Sequence, residues 1–285
     1  MSIVVTGATG HLGRLVVENL LGRGVPADQI VAGGRALDRL APLAERGVQV
    51  RRLDYADAGS LGAALDGASR VLLVSGSEMG QRLQQHTAVV EAARAAGVQL
   101  LAYTSAPYAD TTTLTLAAEH AATEAVIRQS SVPFAFLRNS WYFENYTVQI
   151  PSYLEHGAVL GSAGDGRISG AARADFAAAA AAVLTGEGHT GKVYELGGDS
   201  SFSLPELAAL VAEHSGKPVV YRDLPLAEFT KVLQAAGMPP EVAAIFADTD
   251  RSIREGELLV ETGDLSRLIG RPTSSLSDAV AAALR

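Results

Sequence analysis

The sequence has no cysteine and only three lysines, at positions 192, 217 and 231. The lack of cysteine excludes a disulfide framework, thiolate metal ligands and a cysteine nucleophile. A Gly-x-Ser-x-Gly motif and a phosphate-loop lysine are missing too, which disfavours the common serine hydrolases and nucleoside triphosphatases. The six histidines show no metal-ligand spacing, so we predict that the protein has no metal site.

Charge and long apolar runs are also scarce. Only 19% of the 285 residues are charged, against 48% hydrophobic, which indicates a large folded core rather than a disordered chain. The formal net charge of -8 disfavours nucleic acid and anionic lipid as partners. No apolar run reaches membrane-spanning length, and the first residues form a strand pattern without a basic leader. We therefore expect a cytoplasmic protein with no membrane insertion.

The first 138 residues alternate apolar strand patterns with helical ones. Helices are predicted from Leu12, over 81–96 and over 114–129, and strands over 3–6, 29–32, 48–53, 71–74, 99–104 and 134–137. This alternation is typical of the α/β class, with a doubly wound parallel sheet covered by helices on both faces.

After residue 140 the pattern becomes irregular, with a glycine-rich stretch over 157–170. Helices are predicted over 173–185, 203–215, 226–236 and 275–284, and a strand over 192–196. We expect two domains, a nucleotide-binding sheet domain over 1–150 and a smaller substrate lobe over 151–285. Strand 192–196 is expected to return to the main sheet.

A glycine motif connects the first strand to the first helix. Gly7, Gly10 and Gly13 have the spacing Gly-x-x-Gly-x-x-Gly. Glycines at this point permit a tight turn and a close approach of backbone to a pyrophosphate, which the helix N-terminus also attracts. The motif predicts a dinucleotide site, whose candidate residues in this loop are Gly7, Ala8, Thr9, Gly10, His11 and Leu12.

The end of the second strand indicates which dinucleotide is bound. A site for NAD usually has an acidic residue there, whereas this chain has Arg35 and no acid before Asp38. Arg35 is able to pair with the 2′-phosphate of NADP. Whether Arg39 helps to bind this phosphate is left open. Asp54 follows the third strand, where it suits either an adenine contact or a turn.

Further candidates follow strands four, five and six, so they are expected at the same edge of the sheet. Trp141 and Phe143 suit either a flat wall for a planar substrate or a core between the lobes. Arg173 suits either the cofactor or a pairing with Asp175. The candidates in these segments are Ser75, Gly76, Ser77, Tyr103, Asn139, Trp141, Tyr142, Phe143, Glu144, Asn145 and Arg173.

The Tyr-x-x-x-Lys pair of short-chain alcohol dehydrogenases is missing, because no tyrosine stands four residues before any lysine. That pair relays a proton to the substrate oxygen. His120 and Glu124 share a helix face, and we interpret them as a structural pair. We therefore assign no catalytic residue from the sequence.

Several segments together resemble the NmrA-like group of atypical short-chain dehydrogenases, in particular the bacterial type 2 NAD(P)H:quinone oxidoreductases and, less closely, the triphenylmethane reductases. The resemblance covers essentially the whole chain. It is carried by Thr6–Gly13, Asp54-Tyr55, Ser75–Arg82, Ala102–Ser105, Leu137–Asn139, Glu155–Gly157, Arg173–Asp175, Gly188–Leu196 and Leu268–Gly270.

The resemblance implies a Rossmann-type domain with NADPH in the cleft below a smaller lobe. It assigns cofactor contacts to residues 7–12, Arg35, 75–77, 141–145 and Arg173. Gly33 and Gly34 depart from the bulkier apolar residues of the family, which suggests a looser adenine end and a weaker NADP preference.

The implied activity is hydride transfer from NADPH to quinones. The missing tyrosine–lysine pair fits this activity, because a quinone is a strong hydride acceptor that requires positioning more than acid catalysis. The alternatives are a non-catalytic NADP-binding redox sensor and a reductase of other planar aromatics such as triphenylmethane dyes. The sequence leaves a homodimer open.

Overall fold

The computed structural model describes residues 2–78 and 80–285. Its strands are β1 (Ile3–Val5), β2 (Ile30–Gly34), β3 (Gln49–Arg52), β4 (Arg70–Leu73), β5 (Leu100–Ser105), β6 (Phe134–Asn139), β7 (Ala158–Gly161), β8 (Lys192–Leu196) and β9 (Val220–Asp223). Its α-helices are α1 (His11–Gly22), α2 (Ala41–Ala44), α3 (Ala58–Leu65), α4 (Arg82–Ala95), α5 (Ala117–Gln129), α6 (Glu144–Thr147), α7 (Ile150–His156), α8 (Arg173–Thr185), α9 (Leu204–Ser215), α10 (Leu226–Ala235), α11 (Pro240–Arg254), α12 (Asp264–Ile269) and α13 (Leu276–Ala283).

Seven strands form one parallel sheet in the order β3-β2-β1-β4-β5-β6-β8. The chain winds outward from β1 to β3, and then returns to β4 on the other side of β1. The order of the first six strands is that of a Rossmann fold, which binds ligands where the strand order reverses. The predicted α/β class and doubly wound sheet are confirmed, and Lys192–Leu196 pairs with β6 in this sheet.

Alternation along the strands supplies a core on each face of the sheet. In β1, the side chains of Ile3 and Val5 pack into one apolar cluster, and that of Val4 packs into the other. Successive side chains of a strand point to opposite faces, so a short apolar run is buried on both. These clusters hold the carboxyl ends of β1 and β4, and therefore the loops that follow them.

A third apolar cluster lies in the second half of the chain and includes Phe143, Phe202 and Leu207. The smaller ribbon of β7 and β9 belongs to this part of the molecule. In contrast, the alanines of α8 and Leu265 of α12 pack into the core of the main sheet, against α1. The second half thus contributes to both cores, and the domain division at residue 150 stays a prediction.

Two of the structure's differences from the sequence patterns have simple causes. The second strand lies over Ile30–Gly34 rather than 29–32, because its last two residues are glycines with low strand propensity. The short elements α3, α7, α12, β7 and β9 were not predicted, since four to eight residues carry little periodicity. Helix α11 was also missed. No helix among the described residues is long and apolar enough to cross a bilayer.

Candidate functional site

Two neighbouring cavities lie at the carboxyl edge of the sheet. The switch-point cavity, of about 490 Å³, is bounded by the glycine loop, the ends of β2 and β3, and the segment after β4. The lobe cavity, of about 330 Å³, is bounded by the segments after β4, β5 and β6 and by the start of α8. Ser75, Gly76 and Ser77 line both cavities, so one extended ligand is able to occupy the two together.

The three glycines of the loop are required for three different reasons. Gly7 has φ +59°, a left-handed conformation that side chains disfavour. A Cβ at Gly13 would lie 2.5 Å from the carbonyl oxygen of Gly7, so this glycine lets α1 pack on the loop. A Cβ at Gly10 would meet only the Gly7 carbonyl oxygen, at 3.3 Å. A methyl group at Gly10 would therefore press by a few tenths of an ångström on this single backbone atom, and the open space around the rest of it suits a bound pyrophosphate.

Helix α1 begins in this cavity without a side-chain cap. Gly10 is its N-cap residue and supplies no capping oxygen. The first N–H groups of a helix have no partner within the helix and carry a partial positive charge. His11 and Leu12, which follow Gly10, line the cavity. The site therefore offers an anion both backbone donors and the positive end of the helix dipole.

Arg35 lies at the far end of the same cavity, just beyond β2. Its Nη1 donates to Glu78 Oε1 at 2.7 Å, and Gln85 Nε2 donates to the other oxygen of Glu78 at 2.8 Å. Hydrogen bonds from Gln85 and Arg35 hold the pKa of Glu78 below its usual range. The guanidinium is 64% exposed, so it is accessible to a phosphate that displaces Glu78.

The expected looseness around Gly33 and Gly34 is wrong. A Cβ at Gly33 would lie 2.7 Å from Leu53 Cδ1, and one at Gly34 would lie 2.5 Å from Thr9 Cγ2. The side chains of Leu53 and Thr9 thus fill the space that bulkier strand residues would occupy. The adenine end of the cavity is tightly packed beside Arg35.

Of the two roles considered for Asp54, the turn is confirmed and the adenine contact stays a prediction. Its Oδ1 accepts a hydrogen bond from the backbone N–H of Ala56 at 3.1 Å, which makes it a turn former. It also lines the switch-point cavity. Next to it, the Tyr55 hydroxyl donates to the Val74 carbonyl oxygen at 2.7 Å and bonds with the Thr6 hydroxyl. These bonds join the ends of β1, β3 and β4 at the cavity floor.

The segment Ser75–Ser77 is fixed through its backbone. Thr104 Oγ1 accepts from the Ser75 N–H at 2.8 Å, and Arg82 Nε donates to the Gly76 carbonyl oxygen at 2.9 Å. The Gly76 N–H donates to His86 Nε2 at 3.0 Å. Backbone anchoring leaves the small side chains of the segment free to face a ligand.

The bond from Gly76 also defines the tautomer of His86. Because Nε2 accepts, the proton of the neutral ring is on Nδ1, which donates to Thr123 Oγ1 at 3.0 Å. The Thr123 hydroxyl in turn donates to the carbonyl oxygen of Glu119 at 2.9 Å. Burial lowers the pKa of His86 to about 3, so the ring stays neutral near pH 7. This series of hydrogen bonds connects the segment after β4 to helix α5.

The segment after β6 forms the opposite wall of the lobe cavity. Asn139 Nδ2 donates to the Tyr142 hydroxyl at 3.2 Å, and its own Oδ1 is buried without a partner among the described residues. The Arg173 guanidinium lies 4.9 Å from the centre of the Tyr142 ring, a cation–π distance. The carboxylate of Glu144 accepts from the Arg173 N–H at 3.0 and 3.1 Å, which caps α8.

Arg173 faces the cavity rather than Asp175. The buried carboxylate of Asp175 accepts instead from Arg271 Nη2 at 2.6 Å and from the Ser274 N–H at 2.8 Å. Across residues 2–78 and 80–285, Arg173 forms no ion pair. Its guanidinium therefore supplies a positive charge to the lobe cavity, although the Glu144 carboxylate lies beside its backbone N–H.

Tyr103 and His120 form a buried pair beside this cavity, with 2.8 Å between the Tyr103 hydroxyl and His120 Nδ1. His120 lines the cavity, whereas Tyr103 is fully enclosed. Burial lowers the pKa of His120 to about 3 and raises that of Tyr103. The predicted pairing of His120 with Glu124 is wrong. Glu124 accepts instead from the Ser105 hydroxyl and from the buried Arg138 guanidinium.

Most candidates from the sequence border one of the two cavities. Those around the switch-point cavity are Gly7, Thr9, Gly10, His11, Leu12, Arg35, Asp54, Ser75, Gly76 and Ser77, with Arg39 beside them. Those around the lobe cavity are Asn139, Trp141, Tyr142, Asn145 and Arg173. Four candidates line neither: Ala8, Tyr103, Phe143 and Glu144. The Phe143 side chain packs against Phe202 in the third apolar cluster, as expected of the core alternative.

The chain belongs to the NmrA-like family, which matches over residues 1–259. The predicted family membership is thereby confirmed. Within this class, the chain is 48% identical to quinone oxidoreductase 2 of Escherichia coli over 278 residues, which are 98% of this chain and 97% of that protein. It is 25% identical to the NAD(P)H azoreductase of Xenophilus azovorans, over 97% of this chain and 96% of the relative.

Solved structures agree with this classification. The crystal structure of the NADPH-dependent quinone oxidoreductase of Escherichia coli complexed with NADPH superimposes with a TM-score of 0.96 at 47% identity. The match covers 99% of this chain and 100% of that one. The Citrobacter sp. triphenylmethane reductase complexed with NADP(H) superimposes with a TM-score of 0.93 at 40% identity, with 99% and 100% coverage.

Proposed function

We propose that the protein is an NADPH-dependent reductase that transfers hydride to quinones. The observation that carries this proposal is the junction of the two cavities at Ser75–Ser77, at the switch point of the sheet. A dinucleotide fits the first cavity, and a planar substrate fits the second. The 48% identity to a quinone oxidoreductase and the likeness to a structure that contains NADPH support both assignments.

The first cavity fits the cofactor by charge and by shape. The start of α1 and the space over Gly10 would hold the pyrophosphate, and Arg35 would hold the 2′-phosphate. Ser75–Ser77 would lie along the cofactor, with their backbone fixed by Thr104, Arg82 and His86. When bound, NADPH supplies the hydride, and the chain supplies the orientation. Residues 1–150 contain these groups, which supports their assignment as the nucleotide-binding part.

The second cavity would hold the quinone ring. Trp141 and Tyr142 line it with aromatic surface, and Arg173 offers a cation near Tyr142. Hydride transfer to a quinone gives a hydroquinone anion, which a nearby guanidinium stabilises until it takes up a proton. His120 and Tyr103 are poor acids at neutral pH: the imidazole is already unprotonated, and burial raises the pKa of the phenol. The final proton is therefore supplied by water rather than by a residue essential to the rate.

The experiment measures NADPH oxidation with a panel of quinones, a triphenylmethane dye and simple ketones as acceptors. A second assay measures NADP reduction with secondary alcohols. We expect turnover with quinones and little with ketones or alcohols. Arg173→Gln should lower kcat/KM, while Arg167→Gln, which removes an exposed pair with Glu206 and lies outside both cavities, serves as the matched control. NADPH binding without oxidation by any acceptor would instead indicate a redox-sensing regulator.

We infer further that the protein acts in the cytoplasm without a nucleic-acid partner, and that it forms a homodimer. The net charge of -8 supports the lack of a nucleic-acid partner. The exposed side chains of Val148 and Phe246 provide apolar surface for a second copy. Light scattering coupled to size exclusion tests the assembly, and a monomer at micromolar concentration contradicts it.

A further inference from the structure

A third cavity, which we call the arm cavity, lies next to the lobe cavity in the second half of the chain. It measures about 280 Å³ and is enclosed by helices α6, α7, α10 and α11 and by strand β7. Its lining is mostly apolar or aromatic and includes Tyr146, Tyr153, Val159, Phe229, Leu233 and Phe246. An apolar cavity of about 150 Å³ is sufficient to bind benzene. The arm cavity therefore has room for an aliphatic chain or a second ring.

One carboxylate lines this apolar space. Asp250, on α11, is only 8% exposed. Its Oδ2 accepts from the Ser162 N–H at 2.6 Å, while its Oδ1 has no hydrogen-bond partner among the described residues. Gly161 makes room for this arrangement, because a Cβ there would lie 2.8 Å from Oδ2.

The charged groups around Asp250 do not neutralise it. Burial, the largest effect, and the nearby carboxylate of Asp223 together raise the pKa of Asp250 to about 6, against the lowering effect of the hydrogen bond from the Ser162 N–H. The guanidinium of Arg254 lowers this pKa, but that group is already paired with Asp223. Among the described residues, Oδ1 of Asp250 is not one of the fully buried side-chain atoms without a partner, so it retains some exposed surface and is able to accept a hydrogen bond from a ligand in the arm cavity.

The arm cavity and the lobe cavity adjoin at two residues, Trp141 and Asn145, which line both of them. An arm attached to a ring in the lobe cavity would therefore enter the arm cavity at Trp141, on the side that leads towards Asp250. The same path leaves the switch-point cavity free, since none of the residues around the arm cavity lines it.

We propose that the arm cavity binds an apolar arm of the substrate, and that Asp250 accepts a hydrogen bond from a hydroxyl or ammonium group on that arm. This inference rests on the proposed function, because it places the quinone ring in the lobe cavity. It identifies the preferred substrates as quinones with an apolar arm of several carbons and a hydrogen-bond donor on that arm. A quinone without an arm remains a substrate, but a weaker ligand.

Binding is measurable without turnover, because Trp141 is the only tryptophan of the chain and lines both cavities. The probes are three quinones with the same ring: one unsubstituted, one with a hydroxyalkyl arm, and one with the methyl ether of that arm. Quenching of Trp141 fluorescence in the NADPH-free protein gives each dissociation constant. We expect the hydroxyalkyl quinone to bind at least tenfold more tightly than the unsubstituted one, about 1.4 kcal/mol.

Two variants identify the contacts. Asp250→Asn keeps an oxygen for the Ser162 N–H but turns the free position into a donor, so the preference for the hydroxyl over the methyl ether should disappear. Ala236→Phe adds a ring at an exposed helix end that lines the arm cavity. It should weaken the binding of the hydroxyalkyl quinone at least tenfold and leave the unsubstituted quinone unchanged. Ala235→Phe, which does not line the arm cavity, is the matched control.

The two proposals fail in different ways. If the three quinones bind equally well, or if Ala236→Phe and Ala235→Phe behave alike, the arm site is refuted even when all three quinones are reduced. If the hydroxyalkyl quinone binds more tightly but none of the three quinones oxidises NADPH, the proposed reductase function is refuted. The arm cavity then remains a binding site.

Discussion

Replacement of Arg35 by alanine tests the cofactor assignment most directly. Arg35 is the guanidinium beside the tightly packed end of β2, where Gly33 and Gly34 contact Leu53 and Thr9. A unit charge about 4 Å from another interacts by about 1 kcal/mol in water and about 4 kcal/mol near a protein surface. Because the guanidinium is 64% exposed, we place its effect towards the lower end of that range. A 2′-phosphate carries more than one charge, so the total should exceed about 1.4 kcal/mol.

We therefore expect the dissociation constant of NADPH to be at least tenfold below that of NADH, and Arg35→Ala to remove most of this difference. The measurement is calorimetric titration of both cofactors at two salt concentrations, since an exposed ionic contact weakens with salt. Arg46→Ala is the matched control, because Arg46 also forms a surface pair with a glutamate, Glu18, but lies outside the cavity.

A second variant tests the competition by Glu78. In the described structure Glu78 pairs with Arg35, so the phosphate must displace it. Glu78→Gln should strengthen NADPH binding and leave NADH binding nearly unchanged. Equal affinity for the two cofactors in the unmodified protein, or a preference that survives Arg35→Ala, would refute the assignment of Arg35.

Four further outcomes are expected. Gly10→Val should abolish NADPH binding and leave the circular dichroism spectrum folded, because the protein itself barely contacts a Cβ there; retained binding would make the loop a structural turn only. Tyr103→Phe and His120→Ala should each retain substantial quinone turnover, and a thousandfold loss of kcat in either would reveal a missed proton relay. Phe143→Ala should lower the free energy of unfolding by about 3–5 kcal/mol, measured in urea, because the ring is buried in a core; a pure rise in the quinone KM would contradict that placement. Unfolded histidines take up a proton near pH 6.5, whereas burial keeps the pKa of His86 and His120 near 3 in the folded protein, so stability should fall from pH 6.5 towards pH 3. Each histidine contributes up to about 1.4 kcal/mol per pH unit, and urea titrations of the double glutamine variant should show a shallower fall.

The sequence was most informative at positions where the binding site requires one particular residue type. The spacing of Gly7, Gly10 and Gly13 predicted a strand–loop–helix nucleotide site, and the parallel sheet with its switch point lies there. Arg35 was identified because an acid is missing at the end of β2. Both inferences depend on backbone conformation and charge within a single segment, so the sequence of that segment is sufficient to predict them.

The supporting residues were not predictable in the same way. The sequence indicates of His86 only that it lacks metal-ligand spacing, yet this histidine accepts from Gly76 across the cavity floor and donates to Thr123 on α5. Tyr55 and Gln85 also line the switch-point cavity, although neither is a candidate site residue from the sequence. These contacts join residues from 10 to 49 positions apart, and they form only once the sheet order is set. A pattern within one segment carries no signal for them.

The alanine run of α8 restricts substitution more than its simple composition suggests. Helix α8 packs on α1, Arg23 of α1 donates to the Ala178 carbonyl oxygen at 3.4 Å, and Ala177, Ala179 and Ala181 are fully buried. A larger side chain on the face of α8 that meets α1 would force the two helices apart, at a cost of about 1–3 kcal/mol. Because α1 begins at the glycine loop and α8 begins at Arg173, such a shift would change the spacing between the cofactor cavity and the substrate cavity. The alanine run of α8 thus helps to set the distance between the cofactor in one cavity and the substrate in the other.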